Sequence, residues 1–191
     1  MKRIAIFASG AGSNARNIIQ YFRNNSAINV VAVLSNNPSA KVLDIASEFG
    51  IESLVFNKEE FTKTHRINQF LGDRHIDLIV LAGFLWLVPQ HLIHEYPRRI
   101  INIHPALLPS FGGKGMFGSH VHEAVKASGV KESGITIHFV NEKYDDGGII
   151  FQATCPVDNE DTPDNIAYKI HELEYEYYPK VIEELLSVQD I

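Results

Sequence analysis

The sequence predicts an α/β fold: a single domain with a mostly parallel, twisted central sheet flanked by helices, closing with a long C-terminal helix. Three observations lead there. Near-continuous apolar runs alternate with amphipathic stretches through the first hundred residues, as in strands buried on both faces by crossover helices. Two further strand-like runs follow after residue 130, the first alternating around Thr136 and His138. From Thr162 one helical pattern dominates, with Pro163 in its first turn.

In chain order, residues 4–8 read as a buried strand and 14–23 as a helix burying Ile18, Ile19 and Phe22. Residues 30–34 form a second strand, and a helix over 42–49 ends at Gly50. A short strand over 53–56 precedes a helical stretch, 59–71, with Phe61, Ile67, Phe70 and Leu71 on one face. The most apolar strand is 78–82, and a short helix over 91–96 leads to a strand over 99–103. Residues 135–140 and 149–156 are the two later strands. Pro179 is expected to interrupt the last helix after Tyr178, because proline removes a backbone donor. No repeat, linker or low-complexity tract divides the chain, so one domain is expected over 1–191.

Composition narrows the function. With 45% hydrophobic and 21% charged residues and a formal net charge of −6, the chain lacks the basic face of a phosphate-backbone binder. No nucleic-acid partner is expected; a small anionic ligand, which needs only a few local donors, remains open. The lone cysteine, Cys155, cannot form an internal disulfide and lies in an apolar run, so it reads as a buried structural thiol in a reducing, cytoplasmic setting. Gly10 and Gly12 end the first apolar run too early for a signal segment, and no run reaches 18 apolar residues, so no membrane association is expected.

The first motif is Ser9-Gly10-Ala11-Gly12-Ser13-Asn14, between the first strand and first helix. Small residues at a helix N-terminus allow a phosphate to approach free backbone N–H groups. The motif lacks the third glycine of a dinucleotide fingerprint and the Lys-Ser/Thr of a nucleotide P-loop, so a mononucleotide-scale phosphate fits better than NAD or ATP. Tight-turn glycines and an ordinary helix cap are the plainer reading.

The second is Asn102-Ile103-His104-Pro105 at a strand end. Residues at i and i+2 project to one side of a strand. An amide donor suited to a developing oxyanion then lies beside a group that exchanges protons near neutral pH. Polar residues satisfying a turn would look the same. Asp145 and Asp146, ahead of Gly147-Gly148, are competing carboxylates that would orient His104. His120 and His122 alternate without a nearby cysteine or paired acid, so supporting roles around the site are favoured over zinc, and no metal is expected. His65, His75, His91 and His94 read as surface helix residues, and His138 as a packed sheet-face histidine. The late tyrosines read as packing residues, and Glu172, Glu174 and Glu176 as a solvated helix face from which one residue turns toward a ligand.

On these motifs, together with Leu81-Ala82-Gly83-Phe84, His138-Phe139-Val140 and Ile149-Ile150-Phe151-Gln152, the chain closely resembles the phosphoribosylglycinamide formyltransferases, the folate-dependent enzymes of purine synthesis. The resemblance runs nearly end to end. It implies a Rossmann-like formyltransferase fold, with a phosphate- and nucleotide-binding half (1–100) and a catalytic and folate-binding half (101–191). It also implies formyl transfer from 10-formyltetrahydrofolate, as co-substrate, to the amino group of glycinamide ribonucleotide in IMP biosynthesis. The family's catalytic Asn, His and Asp fall on Asn102, His104 and Asp145. Asp145 rather than Asp146 matches the family's Asp-x-Gly-x-Ile-Ile. The phosphate falls on Gly12, Ser13 and Asn14, and the ribose on Glu174. The pterin falls on Trp86, Leu87 and Val88 and on the loop that begins at Asn141. His122 matches a family histidine, with His120 beside it. The loop 110–118 is longer and richer in glycine than in many members and includes Lys114, and Trp86 stands where some relatives have arginine.

The partners implied are small molecules, acting on a monomer or homodimer. Rival readings are a formyltransferase acting on initiator tRNA, a formyltetrahydrofolate hydrolase, and a non-catalytic phosphometabolite binder. The tRNA enzyme carries an added C-terminal part and the hydrolase an N-terminal one. The chain, which is acidic, ends at Ile191 and begins its first strand almost at Met1, so neither part is expected. A binder would not need Asn102, His104 and Asp145 together.

Overall fold

The computed structural model describes residues 1–188; residues 189–191 of the expected domain lie outside them. Seven strands form one sheet in the order β3-β2-β1-β4-β5-β6-β7. The first five, β1 (Lys2–Phe7), β2 (Ile28–Ser35), β3 (Glu52–Val55), β4 (Leu78–Leu81) and β5 (Ile100–His104), are parallel. β6 (Glu132–Phe139) and β7 (Ile149–Pro156) are antiparallel, which accounts for the change of character in the second half.

Alternation along β1 explains the layering. Ile4 and Ile6 face one core, shared with α1 (Ser13–Phe22), α2 (Val42–Glu48), α6 (Ser119–Ser128) and α7 (Pro163–Val188). Ala5 and Phe7 face a second core with α3 (Lys58–Lys63), α4 (Arg66–Asp73) and α5 (Gln90–Glu95). Phe7, Phe56, Phe61, Phe84 and Trp86 form an aromatic cluster there. Cys155 is buried, and burial pushes its thiol up, as a structural role requires.

Two helix expectations need correction. The stretch 59–71 is two helices. Asn57 starts α3 with a reciprocal capping box to Glu60, and Thr64, in extended conformation, ends it before α4 begins. Pro179 does not interrupt α7, which runs unbroken through it. The carbonyl that Pro179 leaves without its helical donor, that of Tyr175, accepts a hydrogen bond from the side chain of Asn17 in α1 (2.8 Å). A tertiary contact replaces the missing local one.

The sheet order reverses between β1 and β4, so the loops leaving these two strands diverge. A crevice opens at their carboxyl ends, the position at which open α/β sheets take ligands. Gly12 begins α1 there in the left-handed conformation (φ 74°), and a Cβ at that position would lie 2.7 Å from Val42 Cβ. Only glycine fits.

Candidate active site

The crevice is a cavity of about 580 Å³. Its lining includes Gly12, Ser13 and Asn14 from the β1–α1 turn, Asn102 and His104 from β5, Asp145 from the β6–β7 loop, His122 from α6, and Glu174 from α7. Two segments distant in sequence thus supply the amide and imidazole, from β5, and the carboxylate, from the β6–β7 loop.

His104 is 3% exposed. Its Nε2 lies 2.8 Å from the Phe111 carbonyl, an acceptor only, so that nitrogen carries the proton. Nδ1 is then the atom that gains or loses a proton, and it lies 3.5 Å from Asp145 Oδ2. This is ion-pair range, longer than a hydrogen bond. Burial lowers the His104 pKa, and the nearby Asp145 charge offsets that only in part. Desolvation outweighs the pull of this one carboxylate toward the imidazolium.

Asp145 is held by its backbone and its neighbours. It takes positive φ (53°), and its Oδ2 accepts from the Gly113 N–H at 2.9 Å. Burial pushes its carboxyl up, yet its hydrogen-bonded surroundings, the Gly113 N–H among them, keep it below the usual value. The loop fits because Gly147 has no side chain: a Cβ there would lie 1.7 Å from the Phe139 carbonyl oxygen. Asp146, the competing carboxylate, is exposed and engages Asn141 and Lys143 instead.

The segment after His104 is tied to the sheet by Thr136. Its hydroxyl donates to the Ala106 carbonyl (2.7 Å) and accepts from the Leu108 N–H (3.0 Å) and from Gln152 Nε2 (2.9 Å).

At the other end, Glu174 is 5% exposed and its Oε2 accepts from Asn14 Nδ2 (2.9 Å) and His171 Nδ1 (2.9 Å). The Asn14 side chain is thereby committed to Glu174, so the contribution of α1 to an anion is its backbone N–H groups. No side chain caps the helix. His171 is drawn up by its bond to Glu174. His122 is 5% exposed, its Nδ1 is buried without a partner among the described residues, and burial lowers its pKa. His120 is exposed and packs on Phe117, outside the cavity lining.

Trp86, Leu87 and Val88 line a smaller recess of about 60 Å³ that shares Asn102 and Asp145 with the main cavity. The Trp86 ring also carries the Lys58 ammonium 4.6 Å from its centroid. Asn141 lines neither space; its side chain folds back onto Asp146 and the Lys143 N–H.

Two site residues escaped the sequence reading. His138 lies beside Asn102 and Asp145, and a signal existed in its strand pairing, since β5 and β6 place Asn102 opposite His138. His171 sits one helical turn before Glu174, and that spacing was readable on α7. Of the surface histidines expected on helices, His91 is half-buried between Asn68 and the Phe61 carbonyl, and His75 is exposed in a turn with positive φ. Among the described residues, no helix is long and apolar enough to cross a membrane, and no group of three or more His, Cys, Asp or Glu is arranged to hold a metal.

Residues 2–182 match the formyl transferase family. The chain is 37% identical over 195 residues to phosphoribosylglycinamide formyltransferase of Bacillus subtilis, covering 100% of this chain and 97% of that one. It is 40% identical over 187 residues to the chloroplastic enzyme of that name from Arabidopsis thaliana, covering 95% of this chain. The chain spans 64% of the length of that relative and 61% of the Vigna unguiculata one. The crystal structure of phosphoribosylglycinamide formyltransferase from Anaplasma phagocytophilum superposes with a TM-score of 0.90 at 35% identity, over 98% of this chain and 87% of that one.

Proposed function

Because this chain belongs to the formyl transferase family, we propose that it transfers the formyl group of 10-formyltetrahydrofolate to the amino group of glycinamide ribonucleotide. One observation carries the reading: Asn102, His104 and Asp145 line one cavity together with the uncapped N-terminus of α1. The substrate amine and its phosphate each have a place in that arrangement. The names of the Bacillus and Arabidopsis relatives support the same substrate.

The phosphate takes the backbone N–H groups at Gly12, Ser13 and Asn14, and Glu174 takes the ribose hydroxyls. The pterin occupies the recess beside Trp86, Leu87 and Val88, with the loop from Asn141 along its rim. The amine nitrogen attacks the formyl carbon, and the carbonyl π pair moves onto oxygen. Asn102 donates to that oxyanion. His104 takes up at Nδ1 the proton that the attacking amine loses, and the imidazolium is stabilised there by Asp145 as negative charge develops on the oxygen. The intermediate collapses as the bond from carbon to N10 breaks, and His104 passes the proton taken from the amine on to N10. His122, in the cavity lining, supports this cluster rather than reacting, whereas the supporting role expected of His120 falls away because its ring is exposed and outside that lining. A cytoplasmic setting suits the single reduced thiol.

The deciding assay supplies 10-formyltetrahydrofolate with glycinamide ribonucleotide, water or initiator tRNA as acceptor. Formyl transfer to the ribonucleotide is expected. Tetrahydrofolate release without an acceptor would assign a hydrolase, and formylated tRNA would assign the tRNA-directed reaction. Tight binding of the ribonucleotide with no turnover would assign a binder.

A further inference from the structure

We propose that His138 is a positioning residue which dictates the orientation of the Asn102 amide through a tautomer set by the backbone. The functional part of this inference rests on Asn102 acting as the oxyanion donor; the structural part does not.

His138 and Asn102 face each other across the β5–β6 pair, and His138 is 2% exposed. His138 Nδ1 lies 2.9 Å from the Phe139 carbonyl oxygen. A carbonyl only accepts, so Nδ1 bears the proton, and the neutral ring then has a lone pair on Nε2. That lone pair lies 3.1 Å from Asn102 Nδ2, so the amide donates to it. Turning the amide over would set its oxygen against the same lone pair, two acceptors at hydrogen-bond distance, which a buried site does not tolerate. The NH₂ group of Asn102 is therefore held on the His138 side. Its second N–H has no partner among the described residues, while Asn102 lines both the main cavity and the recess. Asp145 Oδ1 is 3.6 Å from Nε2, beyond hydrogen-bond range, and does not displace Asn102. A chain of three groups (the Phe139 carbonyl, the His138 ring and the Asn102 amide) thus passes a fixed polarity from the backbone of β6 to the reacting centre. The competing arrangement is an imidazolium whose Nε2–H points at Asp145, with the Asn102 oxygen turned toward the ring.

The two arrangements differ in the nitrogen NMR spectrum of the full chain labelled at histidine, with His138 assigned through His138→Gln. At neutral pH the expected signature is a protonated Nδ1 and a bare Nε2, and Asn102→Ala should shift the Nε2 resonance. An Nε2–H tautomer or an imidazolium would overturn the proposal. In steady-state formyl transfer, His138→Phe should lower kcat by about 10- to 100-fold, part of the 10²–10³ that loss of a whole oxyanion donor costs. KM for both substrates should stay within about twofold. His138→Gln, whose side-chain oxygen can accept at the Nε2 position, should recover most of the loss. Full kcat in His138→Phe, or an equal loss in His138→Gln, would also overturn it. If His138→Phe does not fold, the spectrum and His138→Gln decide. If the wild-type chain formylates no ribonucleotide, the functional reading falls while the spectrum still decides the tautomer.

Discussion

The side chain of Asn17 donates a hydrogen bond to the carbonyl of Tyr175 (2.8 Å), the group that Pro179 deprives of its helical partner. One turn earlier on α1, Asn14 reaches Glu174, the residue that precedes Tyr175 on α7. Helix α1, which offers its N-terminus to the cavity, is thereby fixed to the helix that supplies the carboxylate. This pair of contacts couples the packing of α7 to the geometry of the site.

If Asn17 substitutes for the missing helical donor, Asn17→Ala should cost about 1 kcal/mol in the wild-type background. The cost should shrink when Pro179→Ala restores a backbone N–H. A double-mutant cycle by urea denaturation reads the coupling, expected at about 0.5–1 kcal/mol. Equal costs in both backgrounds would show that the contact is incidental.

Removing Glu174 affects binding and stability together. In Glu174→Ala the buried amide of Asn14 loses its acceptor, a loss worth about 1–3 kcal/mol. KM for the ribonucleotide should rise at least about tenfold, with KM for the folate little changed. An unchanged ribonucleotide KM in a folded variant rules out the ribose assignment.

Asn102→Ala, His104→Ala and Asp145→Ala should each lower kcat, with a loss on the order of 10²–10³ for the oxyanion donor Asn102. Because the three act as a unit, the double variants should fall short of the product of the single losses. Wild-type turnover in all three folded single variants would refute the catalytic assignment.

Protonation should register in stability with opposite signs. Burial holds His104 and His122 below the ordinary histidine value, so they take up protons more readily when unfolded. Their contribution is fully present above about pH 6.5 and is lost as the pH falls below it, at up to about 1.4 kcal/mol per pH unit per group. His171 is raised by Glu174, so its contribution is present below about pH 6.5 and is lost as the pH rises through its folded value. Thermal melts across pH 5–9 should show a smaller acid-side loss in His122→Phe. His171→Gln should be more destabilising at pH 6 than at pH 9. A pH-independent effect in both variants contradicts the assignment.

Much of the fold was readable because its signals are local. Apolar runs such as Leu78–Leu81 pack helices on both faces and show their burial in composition alone. The i, i+2 spacing of Asn102 and His104 was a sound guide, since strand geometry is invariant to context. Where local rules misled, a distant partner had intervened. Proline 179 reads as a break in isolation, and only the amide of Asn17 lets the helix continue through it. The break at Thr64 lies between two stretches that share one apolar face, so periodicity alone joined them.

The sequence by itself determined the strand–helix alternation, the glycine turn before α1 and which polar side chains are candidates for the site, because these follow from side-chain chemistry and spacing along the chain. Only the tertiary structure decided which groups meet. The resemblance pointed to Asp145 over Asp146, and the turn gives the physical reason, aiming one carboxylate at His104 and leaving the other in solvent. His138 entered the site through antiparallel pairing, and burial lowers the His104 pKa against the pull of Asp145. Pairing and desolvation depend on what surrounds a residue in space, and that is settled only when distant segments pack.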